Sequence, residues 1–106
     1  MANNTFKALG HPIRRRIVER LSRGPASVGE ATRDFGVSKP TVTGHLRVLE
    51  EAGVVVREIH GRRHDLRLAV EPLDEASTWL DTQRARWTRL FDTVEAYLGE
   101  RKGHDD

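Results

Sequence analysis

Over the first 53 residues apolar positions recur three and four apart in short blocks divided by glycine and proline, the period of helices that bury one face. A first helix, from about Asn4 to Leu9, stops at Gly10, and Pro12 opens a second because its fixed φ suits a first turn whose N–H groups are unpaired anyway. Ile13, Ile17, Val18 and Leu21 form its buried stripe, and Gly24-Pro25 ends it. Ser27-Val28-Gly29-Glu30 has the form of a capping box, predicting a third helix to about Phe35, closed by Gly36. Only Gly36-Val37-Ser38 then precede a fourth helix, with Ser38 as N-cap and Lys39-Pro40 in its first turn. Two helices across so short a turn predict a helix-turn-helix over about residues 28–52.

The fourth helix buries Val42, Leu46 and Leu49 and turns Pro40, Gly44, Arg47 and Glu51 the other way, flanked by Thr41 and Thr43. A merely solvated face would carry Glu and Lys. After Gly53 the period drops to two: VVVREIH, the turn His60-Gly61-Arg62-Arg63, then HDLRLAV with Leu66, Leu68 and Val70 alternating. This predicts a basic-tipped hairpin over about 54–70. From Pro72 to about Glu100 a long helix spaces Leu73, Ala76, Leu80, Gln83, Trp87, Leu90, Val94 and Tyr97 three and four apart, a longer seam than one small domain needs. The whole, residues 1–106, is expected to be one winged helix-turn-helix domain, mainly α with a small β-hairpin.

Charge divides along the chain. Residues 1–70 hold 13 Lys/Arg against 7 Asp/Glu, a net +6, and residues 71–106 hold 5 against 9, a net −4. The first two thirds are built for an anion, and fifteen of the eighteen basic residues are arginine, whose planar fork suits phosphate oxygens, although genome base composition also inflates arginine. A chain of 106 residues buries only roughly 60 to 70% of its unfolded surface, so a second subunit is useful. No stretch reads as a signal peptide or membrane span, and a cytoplasmic protein without membrane contact is expected.

FKALGHPIRRRIVERL, SKPTVTGHLRVLEEAGVV and GRRHDLRL together resemble the ArsR/SmtB family of bacterial transcriptional repressors over about residues 5–100. The resemblance implies a homodimer joined through its first and last helices, with the helix from Lys39 to Glu51 in the DNA major groove. On that reading Ser38, Lys39, Pro40, Thr41, Thr43, Gly44, His45 and Arg47 are the recognition-helix candidates for DNA contact. Ser38 and Thr43 match family positions that meet bases or phosphates; His45 matches a histidine typical of the motif and lies toward the core flank. Gly44 departs from the family's larger polar residue, which either permits closer approach or forfeits a contact. Arg62 and Arg63 at the hairpin tip fit phosphate or minor-groove contacts, against the plainer reading of a solvated turn. Arg14-Arg15-Arg16 reads as the solvated side of its helix rather than a second basic patch. The implied dimer interface comprises Phe6, Leu80, Trp87, Leu90, Phe91, Val94 and Tyr97.

Many members of that family sense metals through thiols before the recognition helix or Asp/His/Glu sets on the final helix. Here VGEATRDF carries no thiol, WLDTQRARWTRLFDTVEAYL carries no histidine, and His60 and His64 lack a third ligand and read as solvent-exposed. No metal and no cofactor are expected, and the chain resembles the metal-independent branch of the family. Its effector would be an unidentified small molecule or another redox-independent signal. Four of the six aromatics, Trp79, Trp87, Phe91 and Tyr97, fall on the last helix, where a dimer seam explains them without a ligand and a small-molecule pocket is the other reading. No nucleophile-and-base spacing, phosphate loop or metal triad marks an enzyme. The rival class is a winged helix used for protein–protein interaction without DNA, since fold does not fix function.

Overall fold

The computed structural model describes residues 2–104. In chain order it contains α1 (Ala2–Ala8), α2 (Pro12–Leu21), β1 (Ala26–Ser27), α3 (Val28–Ala31), α4 (Lys39–Glu51), β2 (Val55–His60), β3 (Arg63–Leu68) and α5 (Val70–His104). The three strands form one antiparallel sheet in the order β1-β3-β2. Contacts divide the chain between Ala76 and Ser77 into two units.

The first unit forms around one apolar cluster. Ile17 and Leu21 of α2, Val42, Leu46 and Leu49 of α4, Val54, Val55 and Leu66 are all buried, with Ile13, Val18, Phe35, Leu68 and Leu73 packed around them. Burying each such aliphatic side chain contributes about 1.5 to 3 kcal/mol, which makes this cluster the main restraint on where α4 lies. The start of α2 is fixed by His11, whose Nδ1 accepts the Ile13 N–H at 3.1 Å, with Pro12 in the first turn. α4 begins as its sequence dictates, Ser38 Oγ accepting the Thr41 N–H at 3.4 Å and lying 2.8 Å from the Thr41 hydroxyl. It ends at Gly53, whose φ of 75° lets the Gly53 N–H reach Glu50 O at 3.0 Å and the Val54 N–H reach Leu49 O at 3.0 Å. This Schellman turn places Val54 in the core one residue before β2 starts.

Three local expectations change. The helix expected to run to Phe35 stops at Ala31, and residues 32–38, not three residues, separate it from α4. The serine half of the capping box forms, Ser27 Oγ accepting the Glu30 N–H at 3.2 Å. The chain leaves helical geometry at the C-cap Thr32 (φ −114°, ψ 16°), and beyond it Asp34 (φ 62°) and Gly36 (φ 73°) adopt left-handed conformations that bar a longer helix. The hairpin gains a third strand, Ala26 pairing with Leu66 and Ser27 with Asp65. Finally, Val70 does not continue the strand alternation: it is the exposed first residue of α5.

In the second unit, residues 77–104 of α5 carry exposed Trp79, Leu80, Trp87, Leu90, Phe91, Val94, Tyr97 and Leu98. Trp87 and Phe91 meet edge to face with ring centroids 4.6 Å apart, and Arg84 bonds Asp81 at 2.7 Å. Among the described residues no helix is long and apolar enough to cross a membrane.

Candidate nucleic-acid interface

Burial of Val42, Leu46 and Leu49 fixes the rotation of α4 about its axis, and the opposite face follows. Pro40, Thr41, Thr43, Gly44, Arg47 and Glu51 are exposed, and a Cβ built on Gly44 meets nothing within 4 Å. Ser38 and Lys39 are exposed where α4 begins. Among the described residues Lys39 and Arg47 make no ion pair, so two cations of the helix are unspent.

His45 lies apart from that face. Half-buried, it stacks on His11 with centroids 4.1 Å apart and planes tilted 32°, and its Nδ1 lies 3.2 Å from Arg14 Nη1. Desolvation, then the neighbouring His11 and Arg14, hold its pKa below the ordinary 6.5. Arg14 also donates to Ala8 O at 2.7 Å and Lys7 O at 3.1 Å, Arg15 to Leu9 O at 2.9 Å, and Arg16 to Asp34 O at 3.3 Å while lying 4.5 Å over the Phe35 ring. The arginine triplet therefore ties α2 to its neighbours and is not simply solvated, which its position opposite Ile13 and Ile17 did not reveal.

The hairpin turns through Gly61, φ 65°, between paired His60 and Arg63. Arg62 is exposed and, among the described residues, makes no ion pair, whereas Arg63 bonds Asp65 at 3.0 Å, a largely exposed pair of little energetic weight that nevertheless raises the Arg63 pKa. His64 is half-buried, not solvent-exposed: its Nδ1 lies 3.0 Å from Arg57 Nη1, and Arg57 reaches Glu50 with two further bonds at 2.7 and 3.1 Å. Glu50, Arg57 and His64 were missed as a group. The available signal was parity, because Val55, Arg57 and Ile59 share a strand face and an arginine there needs a partner. No three His, Asp or Glu residues gather in a metal-binding group among the described residues. Of the residues read as a dimer interface, Phe6 is half-buried and Leu80, Trp87, Leu90, Phe91, Val94 and Tyr97 are exposed.

A helix with a small, open outer face, followed by a basic strand–turn–strand packed on the same core, defines a winged helix-turn-helix. A helix-turn-helix domain model matches residues 9–58. The transcriptional regulator Rv2034 of Mycobacterium tuberculosis is 40% identical over 97% of this chain and 92% of its own length. The transcriptional repressor SdpR of Bacillus subtilis is 32% identical over 74% of this chain and 87% of its own length. The crystal structure of an ArsR family transcriptional regulator superposes with a TM-score of 0.74 at 35% identity, covering 81% of this chain and 94% of that one. The solution structure of a homodimeric winged helix-turn-helix DNA-binding domain from Mycobacterium bovis superposes with a TM-score of 0.60 at 26% identity, covering 83% and 80%. The chain belongs to the ArsR/SmtB family of helix-turn-helix transcriptional regulators.

Proposed function

We propose that the chain binds double-stranded DNA as a homodimer and represses transcription at an inverted-repeat operator in the cytoplasm. The observation that carries this reading is the outer face of α4, where Thr41, Thr43 and Gly44 are exposed small groups and a Cβ at Gly44 would meet nothing within 4 Å. A B-DNA major groove about 12 Å wide admits a helix whose leading face is small and polar. Thr43 then reads base edges, Ser38, Thr41 and Lys39 meet phosphate or bases where the helix begins, and Arg47 follows one turn along with Pro40 on the same face. His45 acts through packing or a phosphate. Arg62, with Arg63, lies on the backbone beside the occupied groove, where its unspent charge favours phosphate.

The homodimer reading rests on the exposed apolar row of α5, with Phe6 of α1, and on a homodimeric relative. The absence of cysteine from the sequence is what supports membership of the metal-independent branch, with release left to another effector. Basic residues at the hairpin tip favour DNA over a protein partner. A gel shift with the DNA upstream of the chain's own gene tests the whole: specific retardation supports it, and equal affinity for scrambled duplex overturns it. Zinc, cadmium and arsenite are expected to leave the shift unchanged; a metal-dependent shift with stoichiometric bound metal overturns the metal-independent reading.

A further inference from the structure

The helix-facing side of the wing changes character along its length. Val55 is buried opposite Leu68, Arg57 stands opposite buried Leu66, and Ile59 opposite His64 is exposed. Apolar packing therefore holds the base of the hairpin and ends midway to its tip. At that point Arg57 bonds both carboxylate oxygens of Glu50 in α4, Nη2 to Oε1 at 2.7 Å and Nε to Oε2 at 3.1 Å. A guanidinium only donates, so His64 Nδ1, 3.0 Å from Nη1, is the acceptor of the third bond. One side chain thus joins α4, β2 and β3, and the Arg57 and Glu50 side chains are only 28 and 27% exposed. Arg57 also lines two clefts, one with Thr43 and Arg47, the other with Ser27 and Arg62.

We propose that Arg57 is a positioning residue that locks the wing to the recognition helix, so that Thr43 and Arg62 meet one duplex at a fixed separation. The proposal rests on the DNA-binding reading above. A bidentate arginine–carboxylate pair fixes angle as well as distance, which apolar contact does not. Glu50 spends the charge of Arg57, leaving Arg62 as the phosphate-seeking cation of the wing. β1 ends its pairing at Ser27 opposite Asp65, so past Asp65 the β2–β3 ladder continues as a two-stranded ribbon, which alone is marginal, and without the fork its tip loosens.

The rival is that Arg57 itself meets phosphate, and the two predict opposite signs for Glu50→Gln. Positioning predicts that Glu50→Gln, like Arg57→Gln, weakens operator binding as far as Arg62→Ala does; direct contact predicts that Glu50→Gln strengthens it by freeing a cation. Adding Arg62→Ala to Arg57→Gln is expected to change affinity by less than about twofold, the margin of non-additivity, whereas direct contact predicts that the losses multiply. Arg57→Lys keeps the charge but not the fork and is expected not to rescue. Backbone order parameters of residues 60–64, measured without DNA, are expected to fall in Arg57→Gln and Glu50→Gln while those of α4 hold. Unchanged order parameters overturn the proposal whatever the DNA results. Loosened wings in a protein without operator-specific binding overturn the DNA-binding reading instead.

Discussion

Thr43 can offer a hydroxyl and a methyl group to base edges, whereas phosphates, the expected partners of Arg62, are alike at every sequence. Removing a base contact costs about 1 to 3 kcal/mol on the right site and little on the wrong one, while removing a phosphate contact weakens both. Thr43→Ala is therefore expected to narrow the gap between operator and scrambled duplex, and Arg62→Ala to lower both and flatten the salt slope by about one unit per monomer. Binding of both variants across a salt series checks this: equal losses on both duplexes for Thr43→Ala remove it from base reading. His45 gives a different residue-scale test. Its burial beside His11 and Arg14 depresses its folded pKa, so the unfolded chain binds the proton more readily. Stability from His45 is then full above about pH 6.5, the unfolded value, and is lost as pH falls toward the depressed one. Between about pH 7.5 and pH 5, urea midpoints are expected to drop further for the wild type than for His45→Gln; equal drops reject the coupling. The sequence showed Thr43 and Arg62 as candidates because surface chemistry needs only a face and a type. It did not show the stacking of His45 on His11, a contact 34 positions apart created by tertiary packing.

At the scale of elements, α4 was legible to the residue because Ser38, Pro40 and Gly53 each act locally, through a cap, a fixed φ and a left-handed stop. α3 was not, since the chain leaves helical geometry at Thr32 and turns left-handed at Asp34, which no helix propensity scale foretells, and β1 is two residues whose strand character exists only through Leu66 and Asp65. The open outer face of α4 allows a prediction in which stability and function separate. Gly44 is helical and a Cβ there meets nothing, so Gly44→Ala is expected to stabilise the fold by about 1 kcal/mol through helix propensity alone. If α4 lies deep in the groove, the added methyl pushes it outward and operator affinity falls while stability rises. Denaturant melts and operator titrations of the same variant measure both. Higher stability with unchanged affinity means that Gly44 does not approach the DNA closely.

For the whole molecule, the proposed homodimer rests on the apolar row of α5. Leu80, Trp87, Leu90, Phe91, Val94 and Tyr97 are 45 to 59% exposed, and Trp87 packs on Phe91 within the same helix. Large apolar rows of this kind mark interaction surfaces, and a second copy of the row is its simplest complement under two-fold symmetry. The apolar row was legible from its spacing alone, whereas nothing in the spacing says which surface covers it. Leu90→Asp places a carboxylate in the middle of the row, where pairing with a second copy would desolvate two unpartnered charges. The core of the first unit does not include Leu90, so the variant is expected to keep its fold, checked by circular dichroism, and to sediment as a 12.0 kDa monomer. Two-fold pairing further requires half-sites about 34 Å, or 10 base pairs, apart or a multiple of it, with the second half-site bound at high effective concentration. The wild type is thus expected to protect an inverted repeat, and folded Leu90→Asp to lose that footprint while retaining the weaker, salt-dependent attraction to any duplex. A wild-type monomer at micromolar concentration, or an intact two-half-site footprint from a monomeric Leu90→Asp, removes α5 as the dimer seam.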